Sequence, residues 1–173
     1  MAMLEFAVTT DDDPARPRLE LGPDSFAELY HAEFARLVRL ATLLTGRAEA
    51  ARDVVQDAFV GLHVKWGSVA DPEAYVRRSV VNGCRSHHRR AARDADKARR
   101  AAAGGDTDAN LGVDHTLATL AALSHRERAV VVLKFYERRS EAEIAALVGC
   151  RPGSVGPTVG RALAKLRDLQ GDP

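Results

Sequence analysis

Hydrophobic residues recur at intervals of three and four along most of the chain from residue 24 onward. The first such stripe contains Phe26, Leu29, Tyr30, Phe34, Leu37, Val38, Ala41 and Leu44. This spacing places the stripe on one side of a helix, and Gly46 follows it as a residue that can adopt a left-handed conformation. The pattern therefore predicts an amphipathic helix that ends near Gly46.

Two further helices are predicted before residue 93. The stripe of the second contains Val55, Phe59, Leu62 and Trp66. A third helix is predicted to begin at residues 71–73. Asp71 is suited to the N-cap, Pro72 to the first helical position and Glu73 to the first turn, where acidic residues are favoured. This third helix becomes increasingly basic towards its end.

Apolar periodicity is lost over residues 93–114, which contain Gly104, Gly105 and Gly112. Such a stretch is typical of a linker. After it, a short helix is followed by two capping boxes, in which Ser124 precedes Glu127 and Ser140 precedes Glu143 by three residues. Gly149 ends the second capped helix, and Ser154 is expected to cap a last helix that continues to residue 169.

These patterns predict an all-α fold with two small helical domains joined by a flexible linker. Aromatic residues make up only 5% of the chain, which favours aliphatic helix packing over a sheet. The predicted organisation is a mobile acidic leader at 1–23, a first domain at 24–92, the linker at 93–114 and a second domain at 115–170.

The charges are nearly balanced but unevenly distributed. The chain has 25 Lys and Arg against 24 Asp and Glu, whereas residues 77–100 carry nine Arg and Lys against two Asp. A basic block of this kind indicates a site for a polyanion, although a solvated helix face would have the same composition.

The segments 141–148 and 154–169 have the lengths and the glycine-containing turn of a helix-turn-helix pair, which delivers its second helix to the DNA major groove. Its buried side is expected to contain Ile144, Ala145, Val148, Val155, Val159, Leu163 and Leu166. Its solvent side is expected to contain Arg151, Thr158, Arg161 and Lys165. From spacing alone, an ordinary helical hairpin remains an alternative.

The chain offers little for catalysis or for metal binding. Cys84 and Cys150 have no nearby companions, and the adjacent His87 and His88 point about 100° apart on a helix. No glycine-rich phosphate loop is present, and no apolar run approaches the roughly 20 residues that cross a bilayer. We therefore expect no catalytic residues, no metal, no cofactor and no membrane insertion, and a reducing cytoplasmic location.

Three segments of the chain resemble the extracytoplasmic-function sigma factors, small members of the bacterial sigma-70 family, in the SigE-like form common in actinobacteria. They are DVVQDAF at 53–59, WGSVADPEAYVRRSVVNGCRSHHRR at 66–90 and LSHRERAVVVLKFYERRSEAEIAALVGCRPGSVGPTVGRALAKLR at 123–167. Their order and spacing also match, so that the resemblance covers nearly everything from 24 to 169. It implies sigma region 2 in the first domain and sigma region 4 in the second.

The resemblance implies a role for each basic or polar cluster. The residues implied to dock on the clamp of the polymerase β′ subunit are Asp53, Gln56, Asp57 and Phe59. Those implied to bind and open the minus-10 promoter element are Arg77, Arg78, Asn82, Arg85, His87, His88, Arg89 and Arg90. Those implied to bind the minus-35 element are Arg151, Ser154, Thr158, Arg161 and Lys165.

The chain departs from the family pattern at the start of its last helix. Gly156, Pro157 and Thr158 stand where the family usually has a lysine, a serine and an arginine. Pro157 lacks a backbone donor and Gly156 has low helix propensity, so we expect a frayed start to this helix. Minus-35 contacts should then depend more on Arg151, Arg161 and Lys165.

The leading hypothesis is an RNA polymerase sigma factor, which is not an enzyme. Its implied partners are core RNA polymerase, through the β′ clamp and the β flap, promoter DNA and an anti-sigma factor, in a bacterial cytoplasm at the nucleoid. One alternative is a stand-alone helix-turn-helix regulator that binds duplex DNA without polymerase. Another is a small nuclease that uses Asp53, Asp57 and the histidines.

Overall fold

A computed structural model describes residues 23–101 and 115–170, and within these two segments all regular structure is helical. The predicted all-α class is confirmed. The first unit contains α1 (Pro23–Thr45), α2 (Ala48–Val64) and α3 (Pro72–Ala101). The second contains α4 (His115–Ala121), α5 (His125–Val131), α6 (Glu141–Val148) and α7 (Val155–Gln170). None of these helices is long and apolar enough to cross a membrane.

Three short turns join the helices. A 3-10 turn at Trp66–Ser68 precedes α3, a π turn at Val132–Tyr136 continues α5, and a 3-10 turn at Pro152–Ser154 precedes α7. The predicted leader lies outside the described residues up to residue 22, as does the part of the predicted linker at 102–114. α3 continues through Ala101 and so extends into the stretch predicted as a linker. Alanine and arginine make up six of the nine residues at 93–101, and their helix propensity sustains a helix that has no apolar stripe.

The core of the first unit is formed by one face of each of its three helices. Fully or almost fully buried there are Leu37, Leu40, Ala41, Leu44, Val55, Phe59, Leu62, Val76, Val80 and Cys84. Phe59 lies among the aromatic rings of α1, with ring centroids 4.9 Å from Tyr30 and 6.2 Å from Phe26 and Phe34. These edge-on and tilted contacts add to the burial of apolar area.

The crossing of α2 and α3 depends on a glycine. A Cβ atom on Gly83 would lie 2.7 Å from Cγ1 of Val54, closer than non-bonded carbons approach each other. Any larger residue at this position would push the two helices apart. Gly83 therefore sets how closely the basic helix α3 packs on α2.

Most of the predicted helix ends are confirmed. Gly46 and Gly149 have φ of 76° and 68°, in the left-handed region, and Gly149 is the C-cap of α6. Both capping boxes form, with Ser124 bonded to Glu127 and Ser140 bonded to Glu143 in both directions.

The predicted start of the last helix is wrong in its details. The Ser154 hydroxyl donates to the carbonyl of Arg151 at 2.7 Å, so it closes the preceding turn and does not cap α7. α7 begins at Val155 and continues through Pro157, because Pro157 occupies its third position, where a backbone N–H would have no partner within the helix.

The second unit is held by aliphatic residues from α5, α6 and α7. Val130, Leu133, Ile144, Val155 and Ala162 are all fully or almost fully buried. The α6–turn–α7 pair has the predicted helix-turn-helix order. Leu163, which was expected to be buried, is 37% exposed, so α7 is rotated relative to the predicted orientation.

We expect Phe59→Ala to destabilise the first unit by about 3–5 kcal/mol, because it removes a buried ring from the centre of an aromatic cluster. Urea unfolding followed by circular dichroism measures this. Val60→Ala is the matched control, since Val60 is the next residue on α2 and is 59% exposed. Equal unfolding midpoints for the two variants would contradict the structural role of Phe59.

Candidate nucleic-acid interface

The exposed face of α2 is acidic. Asp53, Gln56 and Asp57 are exposed, as their predicted role requires. Asp53 and Asp57 also line an open groove of about 470 Å³ between α2 and α3, together with His87 and Arg90 of α3. Phe59 differs from the prediction: it is 3% exposed and points into the core, so it supports the acidic face from beneath and offers no surface to a partner.

The solvent face of α3 is a polar and basic stripe. Arg78, Asn82, Arg85 and Arg89 are exposed and follow one another at intervals of four, three and four residues. With 3.6 residues per turn, this spacing aligns all four along one side of the helix. Four of the eight predicted minus-10 residues therefore form a continuous stripe, hereafter called the α3 stripe.

Two other predicted residues, His87 and Arg90, lie on a different side of α3, facing the groove beside α2. His87 is half-buried and Arg90 is exposed. The basic helix thus presents charge to two separate surfaces.

Arg77 does not belong to the exposed surface. Its side chain is 8% exposed and pairs with Glu73 one turn earlier on α3. Its Nε lies 3.3 Å from Oε2 of Glu137, which belongs to the second unit. The charge of Arg77, which was predicted as a phosphate contact, is buried and paired with carboxylates.

His88 is also directed away from the surface. Its Nε2 lies 2.9 Å from the carbonyl oxygen of Leu44 at the end of α1, and its ring stacks on that of His125 with centroids 3.5 Å apart. Burial, together with the nearby charges of His125, Arg128 and His87, lowers the pKa of His88 to about 4, although the hydrogen bond to Leu44 acts in the opposite direction. His88 is therefore neutral near pH 7 and belongs to the contact between the units.

Two arginines complete that contact. Arg128 of α5 is 7% exposed and donates to the Leu120 carbonyl at 3.0 Å and the Leu44 carbonyl at 3.5 Å. Arg85 of the α3 stripe donates from Nη1 to the Val148 carbonyl at 3.0 Å, at the C-terminal end of α6. A cation is favoured at that end because the last carbonyls of a helix have no partner within it.

A cavity of about 310 Å³ remains between the units beside these contacts. Its walls include Leu44, Val81, Cys84, His125 and Val148. Burial raises the pKa of the Cys84 thiol to about 12, so the thiol stays protonated and unreactive. Within the described segments, no group of three or more His, Cys, Asp or Glu side chains could hold a metal ion.

The predicted minus-35 residues differ in their availability. Arg151 and Arg161 are exposed. Lys165 pairs with Glu127 of α5, with Nζ 2.9 Å from Oε2, so its charge joins α7 to α5. Thr158 was expected to face solvent but is 3% exposed, and its hydroxyl donates to the Ser154 carbonyl at 2.6 Å.

Several residues that connect the units were missed by sequence reasoning. They are Arg36, Leu44, His125, Arg128 and Glu137. No local pattern marks them, because each acts through a partner that is distant in the chain.

The chain thus has two helical units, the second of which carries a helix-turn-helix. The family model for sigma-70 region 2 matches residues 29–94, and the model for sigma-70 region 4 matches residues 116–166. The RNA polymerase sigma-E factor of Streptomyces avermitilis is 32% identical over 149 residues, 83% of each chain. The ECF RNA polymerase sigma factor SigM of Mycobacterium tuberculosis is 32% identical over 157 residues, 85% of this chain and 78% of that protein.

Solved structures have the same architecture. The sigma factor RpoE in complex with the anti-sigma factor NepR from Bartonella quintana matches with a TM-score of 0.68 at 21% identity, over 86% of this chain and 98% of that one. CnrH in complex with the cytosolic domain of CnrY matches with a TM-score of 0.61 at 28% identity, over 87% and 90%.

The chain belongs to the sigma-70 family, as an RNA polymerase sigma factor of the extracytoplasmic-function group. Members of this family direct core polymerase to promoters and are not enzymes. The stand-alone regulator is thereby set aside in favour of the leading hypothesis.

We expect the contact between the units to weaken as the pH falls from 7.5 to 5.5. Burial lowers the pKa values of both His88 and His125 below 6.5. In the unfolded chain these imidazoles titrate near 6.5, so below that pH the unfolded state binds more protons and the native state loses stability. Carboxylates with lowered pKa, such as Glu127 and Glu143, contribute only below about pH 4.5.

The hydrogen bond to the Leu44 carbonyl on α1 favours protonation of His88, whereas the charges of His87 on α3 and of His125 and Arg128 on α5 oppose it. Arg85 and Arg126 line the same cavity. The urea midpoint of unfolding, measured between pH 7.5 and 5.5, should decrease with falling pH in the wild type. It should decrease less steeply in His88→Phe. His31→Asn serves as control, because His31 is exposed on α1. A wild-type midpoint that is constant over this range would contradict the expectation.

Proposed function

We propose that this sigma factor uses the acidic face of α2 to bind the β′ clamp of core RNA polymerase. The proposal is supported by the exposure of the two carboxylates on this face. Asp53 and Asp57 form no ion pair with another described residue. Charges held apart from internal partners are free to make charge-assisted contacts with a basic surface. Gln56, exposed on the same helix, adds a neutral donor and acceptor.

We propose further that the α3 stripe binds the minus-10 element. Arg78 and Arg89 are exposed and would contact phosphates, and Asn82 between them has the donor and acceptor groups that can read a base edge. Positive charge beside unpaired bases is the general arrangement of single-strand binding sites. His87 and Arg90, which face the groove beside α2, add a second and separate surface to the proposed promoter contact.

The helix-turn-helix of the second unit is proposed to bind the minus-35 element, as part of a domain over 115–170 that also contacts the β flap. Arg151 and Arg161 are the exposed cations of this region that carry the proposal. Lys165 and Thr158 position α7 against α5 and the preceding turn. An anti-sigma factor is a proposed partner, by extension from the complexes in which similar proteins were solved.

The chain is proposed to act without catalytic activity or cofactor, in the cytoplasm and at the nucleoid. The nuclease alternative would use Asp53, Asp57 and His87, which line one groove but do not form a cluster that could hold a metal ion. Run-off transcription tests the function as a whole: core polymerase with this protein should initiate at promoters from its own genome, and core polymerase alone should not. A lack of initiation, or divalent-metal-dependent DNA cleavage, would contradict the proposal.

We expect Asp53→Lys combined with Asp57→Lys to weaken capture of core polymerase by about tenfold or more, because each ~1.4 kcal/mol of repulsion corresponds to a factor of ten. A pull-down with core polymerase measures this, and circular dichroism verifies the fold. Glu28→Lys on α1 is the control, since Glu28 is also exposed. Unchanged capture by the double variant would place the polymerase contact elsewhere.

We expect Arg78→Gln combined with Arg89→Gln to weaken promoter binding by the holoenzyme and to flatten its salt dependence, by about 0.7 logarithmic units per lost contact with single-stranded phosphate. Binding measured over a series of salt concentrations gives both values. Arg39→Gln, at an exposed arginine on α1, should leave them unchanged. If the double variant retains the wild-type salt slope, the α3 stripe is not the phosphate site.

A further inference from the structure

The exposed face at the start of α7 has almost no hydrogen-bonding side chains. In a helix-turn-helix, the first turns of the second helix contact the base edges. Within residues 155–161 the exposed positions are Pro157, Gly160 and Arg161. Proline and glycine offer a base no side-chain donor or acceptor. Arg161 is therefore the only exposed side chain of residues 155–161 that can form hydrogen bonds with a base edge.

The guanidinium of Arg161 is bonded to the hydroxyl of Thr158, which lies three residues earlier on the same helix. Nη2 of Arg161 donates to Oγ1 of Thr158 at 3.3 Å. The Thr158 hydroxyl itself donates to the Ser154 carbonyl at 2.6 Å, so its proton is already used and its oxygen can only accept from the guanidinium. Because Thr158 is 3% exposed, water competes little for this oxygen.

Arg161 keeps enough donors for a partner outside the chain. It forms no ion pair with another described residue, whereas Lys165 on the same helix pairs with Glu127. A guanidinium has five N–H donors, and the Thr158 oxygen accepts from only one of its terminal nitrogens. The remaining donors suffice for paired hydrogen bonds to O6 and N7 of guanine in the major groove.

We propose that Thr158 is a positioning residue, which orients Arg161 to read a guanine in the minus-35 element. The proposal rests on the function proposed above for the helix-turn-helix. An arginine side chain has several rotatable bonds, so a hydrogen bond that orients it beforehand reduces the entropy lost on contact with DNA. The unusual residues at 156–158 thus leave base recognition at the start of α7 to one positioned arginine.

A phosphate contact is the alternative role for Arg161, and the two roles have different consequences. Loss of a phosphate contact weakens binding to all sequences alike and flattens the salt dependence by about 0.9 logarithmic units on duplex DNA. Loss of a guanine contact instead relaxes the base preference at one position.

Selection from a promoter library tests the proposal. The library is a genomic promoter fragment at which core polymerase with this protein initiates in run-off transcription, with its minus-35 region randomised. Holoenzyme with the wild-type chain should enrich guanine at one position by about tenfold over the other bases. Thr158→Val keeps the shape of the side chain and removes the hydroxyl. It should reduce this enrichment by about fivefold, the factor for one lost hydrogen bond, and Thr158→Ser should retain it.

Further variants separate base recognition from general damage to the fold. Arg161→Gln should lose the guanine preference, whereas unchanged preferences with a flatter salt slope would assign Arg161 to a phosphate and overturn the proposal. Thr42→Val is the matched control, because it removes a hydroxyl that donates to the Val38 carbonyl within α1, and it should leave the enrichment unchanged. Circular dichroism verifies the folds, and Thr158→Ala removes the same hydroxyl by a second substitution.

The same experiment distinguishes this inference from the proposed function. If wild-type holoenzyme initiates and selects a minus-35 sequence, but folded Thr158→Val and Thr158→Ala select it equally well, the proposed function stands and the positioning role is wrong. If no genomic fragment supports initiation with the wild-type chain, both proposals fail.

Discussion

Each side of helix α3 faces different surroundings. The positions of the elements packed around α3 follow from this arrangement. Val76 and Val80 are fully buried against the first unit, and Gly83 allows α2 to approach closely. Arg78 faces solvent on the third side, and His88 contacts the second unit on the fourth. Because successive residues of a helix are separated by about 100°, all four surfaces fit within about three and a half turns.

Buried charge explains why the two units have one defined arrangement. Desolvation offsets most of the Coulomb attraction in a buried ion pair, so the cluster around Glu137 adds little net stability. It does penalise any packing that leaves the Glu137 carboxylate without Arg36 and Arg77. Nearby, the ring of His88 stacks on that of His125. Protonation of His88 is unfavourable there, as its lowered pKa shows. The ion pairs of Glu137 and the stacking of His88 on His125 therefore favour the same packing of the two units, the first through paired charges and the second through neutral rings.

The second unit uses its charged residues in a similar way. Lys165 and Glu127 join α7 to α5, and the Ser124 hydroxyl shares the same carboxylate. Together these hydrogen bonds lower the pKa of Glu127 to about 2, so the carboxylate remains ionised near neutral pH. The exposed arginines of the helix-turn-helix, Arg151 and Arg161, are thus carried on a helix whose orientation is set by an internal ion pair.

The sequence by itself determined the helices, most of their ends and the family. Periodicity identified the stripe of α1, and the capping boxes at Ser124 and Ser140 identified the starts of α5 and α6, because these signals act between residues within one or two turns. Only the tertiary structure decided that Arg77 is buried and Thr158 is covered. Spacing predicted that Thr158 faces solvent, and the resemblance implied a DNA contact for Arg77. Neither could reveal burial, since exposure depends on neighbours that are distant in the chain. Glu137 gave no signal in the sequence, because its cations lie far before it in the chain and meet it only when the two units pack.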